Sequence, residues 1–137
     1  MTAKEYLNKA HSIDLRINSN LEQITALRSL LTKATTTYSD MPPSGSRNVH
    51  KMEDIIAKII DMENEINNDI DHLMDVKATI RLKVSAVEDD ECRALLEYRY
   101  ICFMTWEDIA TKMNYTTRYV HTLHQRALSK FETVMNI

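Results

Sequence analysis

The stretch that decides the fold of the C-terminal third occupies residues 105–128 and reads TWEDIATKMNYTTRYVHTLHQRAL. Thr105, followed three residues later by Asp108, approximates a capping box and predicts the start of a short helix. Asn114 stands where the chain must turn, because asparagine tolerates the left-handed backbone that a tight turn requires. Thr116 is placed to cap the next helix. The pattern predicts a helix-turn-helix whose second helix starts near Thr116.

The outward face of that second helix indicates a function. Short hydroxyls, an amide, a histidine and an arginine occupy it, and no acidic residue occurs between Asn114 and Phe131. Arginine can bind guanine through two hydrogen bonds, glutamine can bind adenine, and threonine can contact bases or the thymine methyl group. Because an ordinary solvated face would normally carry Glu or Asp, we expect double-stranded DNA as the partner. The candidate base-reading residues are Thr117, Arg118, His121, Thr122 and Gln125. The candidate phosphate contacts are Thr105, Lys112, Arg126 and Lys130.

Two long apolar stripes precede this segment. From residue 3 to 35, apolar residues recur at steps of three and four, which is typical of an amphipathic helix. From 51 to 87, a second stripe has a spacing near 3.5 residues, the spacing of a coiled-coil seam. We expect residues 3–87 to form an antiparallel helical hairpin. The first stripe comprises Leu7, Ala10, Ile13, Ile17, Leu21, Ile24, Leu27 and Leu31, and the second Met52, Ile55, Ile59, Met62, Ile66, Ile70, Leu73, Val76, Ile80, Val84 and Val87.

The segment between the stripes, residues 36–50, holds every proline and the single glycine of the chain: Pro42, Pro43 and Gly45. It has no apolar period, so we expect a long connecting loop there.

Three further apolar residues, Ile56, Ile60 and Met74, lie beside the second stripe. They widen the apolar face beyond what one partner helix covers. A second copy of the chain would cover it, and we therefore expect a homodimer. The alternative is that the hairpin folds back on the C-terminal helices.

Composition and charge support an all-α chain with two functions. One glycine and two prolines in 137 residues leave few sharp turns for a sheet protein. Residues 51–88 carry five basic and nine acidic side chains, whereas residues 109–137 carry four basic side chains and one acidic side chain. The acidic run 88–91 is placed to open a third helix, with Asp89 or Asp90 as its cap. We expect a hairpin domain over 1–87, for oligomerisation or partner binding, and a DNA-binding domain over 88–137.

Several other classes of function do not fit the sequence. One glycine excludes a phosphate-binding glycine-rich loop, and no serine-hydrolase elbow or zinc-protease motif occurs, so we expect neither an enzyme nor a cofactor. His121 and His124 are three apart, but a third metal ligand on their face is lacking. Cys92 and Cys102 form no paired motif and indicate reduced thiols. Without a signal peptide or an apolar run of membrane-spanning length, we expect no membrane association and a cytoplasmic location.

The C-terminal residues resemble region 4 of sigma factors, which binds the −35 promoter element. More closely, the chain resembles short regulators from phages of Gram-positive bacteria, which join a long helical part to such a region. The resemblance implies a phage or prophage regulator of transcription in the bacterial host, with host RNA polymerase as a further partner. It also implies that Thr117, Arg118, His121 and Thr122 read bases. The motifs that carry it are YSDMP (38–42), ME (52–53), LLEYRY (95–100), TWEDIA (105–110), TTRYV (116–120) and RALSKF (126–131).

The sequence departs from that pattern in two places. Cys102, Phe103 and Met104 stand where such regulators often have a glycine, and Asn114 replaces the glycine common in the turn of the helix-turn-helix. Two other functions remain open. A helical adaptor or anti-sigma-like protein would use the acidic hairpin to bind a protein. A phage small terminase subunit would assemble into a ring.

Overall fold

The computed structural model describes residues 1–40 and 46–136, with side chains described over 1–34 and 49–136. This described part of the chain is helical and contains no strand, which confirms the all-α class. Over the same residues, no helix combines the length and apolarity needed to cross a membrane. The helices are α1 (Ala3–Leu7), α2 (Lys9–Asp40), α3 (Ser46–Val84), α4 (Asp90–Leu96), a π-helical turn (Glu97–Ile101), α5 (Trp106–Met113) and α6 (Thr117–Val134).

The connection between the two long helices is shorter than predicted. A loop was expected over 36–50, but α2 continues to Asp40 and α3 begins at Ser46. Residues 36–40 contain no proline or glycine, and the weak helix propensity of threonine and serine is not enough to end a long helix. The strong helix breakers all fall within 41–45, which lies outside the described residues.

The N-terminal residues form one compact unit with the C-terminal helices. Met1–Asp14 and His72–Ile137 make up this unit, so its limits differ from the expected boundary at residue 87. Asn8 separates α1 from α2, which interrupts the single helix expected from residue 3. The Lys83 ammonium also donates to the backbone oxygen of Met135 at 2.5 Å. The buried core contains Ala3, Leu7, Ala10, Ile80, Val84, Val87, Cys92, Leu95, Leu96, Tyr100, Ile109, Ala110, Val120, Leu123, Ala127 and Phe131.

The second unit, Leu15–Asp71, contains the antiparallel pairing of α2 with α3. Two cross-helix ion pairs mark its register: Arg16 binds both carboxylate oxygens of Asp69 at 2.9 and 2.7 Å, and Arg28 lies 2.6 Å from Glu63. The hydrogen bonds and charge of Asp69 raise the pKa of Arg16. The buried apolar residues of the seam are Ile17, Ile24, Ile59, Met62 and Ile66.

Within residues 15–71, two members of the predicted stripes stay exposed. Leu21 is 47% exposed and Ile70 is 40% exposed, so both lie at the margin of the pairing. A seam between only two helices covers a narrow arc of each, and residues at the edge of a stripe stay in solvent. Asn20, by contrast, is buried, and its Nδ2 has no hydrogen-bond partner among the described residues.

Candidate nucleic-acid interface

Three short polar residues delimit the two helices of the candidate interface. Thr105 caps α5 by accepting a hydrogen bond from the Asp108 N–H at 3.2 Å. Asn114 ends α5 in the left-handed conformation, with φ 60° and ψ 41°. Thr116 caps α6 by accepting from the Tyr119 N–H at 3.1 Å. The predicted helix-turn-helix is therefore present, with each turn residue in the expected role.

The inner face of α6 holds it against the rest of its unit. Val120, Leu123, Ala127 and Phe131 are fully buried, and Ile109 of α5 is buried in the same core. Burying several large apolar side chains on one face leaves the opposite face of α6 in solvent with a defined orientation.

Most of the predicted base-reading residues lie on that outer face. Arg118, His121, Thr122 and Gln125 are exposed, whereas Thr117 is half-buried at the first turn. The Thr122 hydroxyl donates to the Arg118 backbone oxygen at 3.3 Å, so its oxygen remains available as an acceptor. The Arg118 side chain forms no ion pair with any residue in the described part of the chain. Its guanidinium is free to meet an external acceptor.

The ring of Trp106 packs against His121. The His121 ring lies 4.8 Å from the Trp106 ring, measured between centroids. The Arg99 guanidinium lies 4.3 Å from the Trp106 ring, and Arg99 also donates to the Met104 backbone oxygen at 2.9 Å. Trp106 thus links the turn before α5 to the exposed face of α6, and it is only half-buried.

His124 does not share the exposed surface of His121. It is buried, and its Nε2 lies 2.6 Å from the hydroxyl of Tyr100. Burial, together with a smaller contribution from the positive charge of Lys4, lowers the pKa of His124 to about 4. Burial also raises the pKa of Tyr100 to about 12. The hydrogen bond therefore joins a neutral phenol to a neutral imidazole.

The predicted phosphate contacts are all exposed, but their surroundings differ. Thr105 already accepts a hydrogen bond as a cap and keeps its hydroxyl proton to donate. Lys130 lines a groove of about 220 Å³ together with Glu88. The pKa of Asp89 is lowered mainly by a hydrogen bond from the Cys92 N–H, and the charge of Lys130 contributes to this effect. The charge of Asp89 thus lies near Lys130, but Lys112, Arg126 and Lys130 all have no ion-pair partner among the described residues.

Two tyrosines, one in the turn before α6 and one in its first turn, were not among the predicted site residues. Tyr115 and Tyr119 have ring centroids 4.5 Å apart, and both are exposed. The Tyr115 hydroxyl donates to both carboxylate oxygens of Glu91 at 2.9 Å, which raises the pKa of Tyr115. The two tyrosines are four residues apart in the sequence, with the Thr116 cap between them. This spacing is the sequence signal that could have identified them.

The turn before α5 also contains a strained residue. Phe103 has φ 57°, a conformation that favours glycine, and it lies where the sigma-like regulators often have one. The Lys77 ammonium lies 4.4 Å from the Phe103 ring centroid, and the His11 ring lies 5.4 Å from it. These contacts hold the ring, so the chain makes the turn without glycine.

Comparison with known proteins identifies a family. Residues 30–132 match the family described as a protein of unknown function (DUF1492). The chain belongs to this family. The match spans part of α2, all of α3, and the helix-turn-helix to within a few residues of the end of α6. No curated protein and no solved structure matches the chain.

Proposed function

We propose that this protein is a sequence-specific DNA-binding transcriptional regulator that reads promoter or operator DNA with the first half of α6. The observation that carries the proposal is the outer face of α6: it presents Arg118, His121 and Gln125 to solvent and has no acidic residue from Asn114 to Phe131. A helix-turn-helix places its second helix in the major groove, with the N-terminal residues of that helix nearest the base edges.

Each group on this face has a chemical counterpart on DNA. The guanidinium of Arg118 can donate two hydrogen bonds to guanine, and the amide of Gln125 can pair with adenine. His121, held by Trp106, presents a ring nitrogen at the same surface. Thr105, Lys112, Arg126 and Lys130 would supply hydroxyl and cationic groups for phosphates, which would position the helix without reading sequence.

Further parts of the proposal rest on the resemblance to sigma region 4 and to phage regulators. They are a phage or prophage origin, action in the bacterial cytoplasm, and contact with host RNA polymerase. The expected homodimer rests instead on the apolar residues that the hairpin leaves exposed, since Ile56 is 43% exposed and Ile60 is 51% exposed.

The decisive experiment is to incubate the purified protein with fragments of a phage genome and sequence those that it retains, then titrate the best fragment at several salt concentrations. We expect specific retention and an affinity that falls as salt rises, because phosphate contacts release counterions. If no DNA binds even at low salt, the proposal is wrong and a protein-binding adaptor takes its place. A ring of eight or more subunits would instead support a terminase role.

A further inference from the structure

Beside its seam with α2, helix α3 carries another largely apolar stripe, which runs from Ile56 to Met74 and is called the outer stripe here. Its positions step by four, three, four, three and four residues, which is the spacing of a coiled-coil seam. Its apolar members are exposed: Ile56 is 43% exposed, Ile60 51%, Ile70 40% and Met74 64%. The complete stripe comprises Ile56, Ile60, Glu63, Asn67, Ile70 and Met74.

The order of side chains in this stripe is the same in both directions. Two apolar residues stand at each end, and two polar residues, Glu63 and Asn67, stand in the middle. Such a pattern is complementary to itself when two copies run antiparallel around a point near residue 65. In that register, Ile60 meets Ile70 of the second copy, and Glu63 meets Asn67.

The surroundings of the stripe suit this arrangement. A groove of about 320 Å³ opens beside it, with Leu21, Ile66, Asn67 and Ile70 among its lining residues. An isoleucine from a second copy would fill this groove and cover apolar surface that one hairpin leaves in water. The Glu63 carboxylate already binds Arg28 at 2.6 Å and can still accept a hydrogen bond from an asparagine amide.

A parallel arrangement fits less well. It would place Glu63 directly opposite Glu63 of the second copy, and like charges at such positions repel. We propose that the stripe from Ile56 to Met74 on α3 is the dimer interface, in which α3 packs antiparallel on α3 of a second copy about a two-fold axis near residue 65, with a central Glu63–Asn67 layer. This inference rests on the proposed homodimer and is independent of DNA binding.

The first test measures the mass of the full-length protein by sedimentation over a range of concentrations. We expect a dimer, and Ile60→Glu should raise its dissociation constant by about tenfold or more, because a charge would be buried in the seam. Leu15→Glu is the matched control: Leu15 is 56% exposed but does not line the groove, so its substitution should leave the mass unchanged. Circular dichroism checks that each variant remains helical.

The second test distinguishes the two orientations. The lysine introduced by Asn67→Lys would meet Glu63 in the antiparallel dimer, so the dissociation constant should stay the same or fall. In a parallel dimer the two lysines would face each other, and the dissociation constant should rise. Disulfide trapping in a Cys102→Ser background gives a direct readout. Ile60→Cys chains should cross-link to Ile70→Cys chains, and neither should cross-link to itself, because only the mixed pair comes within disulfide distance.

The possible outcomes test the homodimer, the interface and its antiparallel orientation separately. A monomeric protein at high micromolar concentration would overturn both the homodimer and this interface. A dimer that Ile60→Glu does not weaken would overturn this interface alone. Self-cross-linking of either single-cysteine variant, or weakening by Asn67→Lys, would overturn the antiparallel arrangement. Because the α6 face is not altered, failure to bind DNA is a separate result.

Discussion

The hydroxyl of Tyr100 lies 2.6 Å from Nε2 of His124, so the turn before α5 is hydrogen-bonded to the buried side of α6. Trp106, the only tryptophan of the chain, contacts His124 with ring centroids 4.6 Å apart. The imidazole of His124 is therefore a titratable group buried beneath the proposed recognition face. The indole of Trp106, which contacts it, is a fluorescent probe of its surroundings.

The burial of His124 predicts a pH-dependent stability. The folded protein holds the pKa of His124 near 4, below the ordinary value of 6.5, so the unfolded chain takes up this proton first as pH falls. The stabilising contribution should be complete above about pH 6.5 and lost as pH falls towards 4, amounting to at most about 3 kcal/mol. Urea unfolding followed by Trp106 fluorescence at pH 7 and pH 4.5 measures it.

His124→Gln is the control for this effect, because the glutamine amide can still hydrogen-bond the Tyr100 hydroxyl but does not titrate in this range. The variant should lose less stability than the wild type between the two pH values. Equal losses in the two proteins would show that His124 does not stay neutral in the folded state.

Arg118→Ala should weaken binding to the specific DNA site by about 1–3 kcal/mol, because it removes a donor pair from a base edge. Lys130→Ala should weaken specific and nonspecific DNA alike and lower the salt dependence by about one ion, as a phosphate contact would. Titrations on the specific fragment and on unrelated DNA, each at several salt concentrations, measure both effects.

Two controls belong to that comparison. Lys58→Ala removes an exposed positive charge from α3, outside the helix-turn-helix, and should leave the affinity nearly unchanged. Val120→Asp places a charge in the core beneath α6 and should abolish binding through unfolding, visible by circular dichroism. If Arg118→Ala and Lys130→Ala both leave binding untouched, the recognition face is misassigned.

Because the backbone of Phe103 is left-handed, we expect a glycine at this position to be more stable than an alanine. Phe103→Ala and Phe103→Gly both remove the ring that Lys77 contacts, so both should destabilise the protein. Because a Cβ is unfavourable at φ 57°, the glycine variant should be the more stable of the two by about 1 kcal/mol. Urea unfolding followed by Trp106 fluorescence measures the difference.

Asn114 offers a matched comparison at φ 60°, where no ring packing is lost. There Asn114→Gly should be nearly neutral, and Asn114→Ala should cost about 1 kcal/mol. A glycine variant less stable than the alanine variant at both positions would contradict the strain argument.

Asn20 predicts a stabilising substitution in the hairpin unit. Its Nδ2 is buried without a partner among the described residues, and an unpaired buried polar group destabilises the folded protein. An apolar side chain at this position would have no such group. Asn20→Leu should therefore stabilise residues 15–71 by about 1–2 kcal/mol, seen as slower hydrogen exchange of their backbone amides. Asn64→Leu, at an exposed position of α3, corrects for the higher helix propensity of leucine. The expectation fails if Asn20→Leu gains no more than this control.

The sequence by itself determined the features that depend on local physics. The roles of Thr105, Asn114 and Thr116 follow from their own side chains and backbone preferences, and the structure places each as predicted. The exposed position of Arg118 follows from the period of the buried face of α6, because residues opposite an apolar stripe must face water. The all-α class follows from the near absence of glycine and proline.

Only the tertiary structure decided which apolar faces meet. Leu7 belongs to the same kind of stripe as Ile17, yet Leu7 packs with the C-terminal helices while Ile17 lies in the hairpin seam. His121 and His124 are both polar and three residues apart, but His121 lies at the surface, whereas His124 is buried and hydrogen-bonded to Tyr100. Periodicity tells which residues share a face of one helix, but the partner of that face is chosen by packing between residues distant in sequence, which no local pattern records.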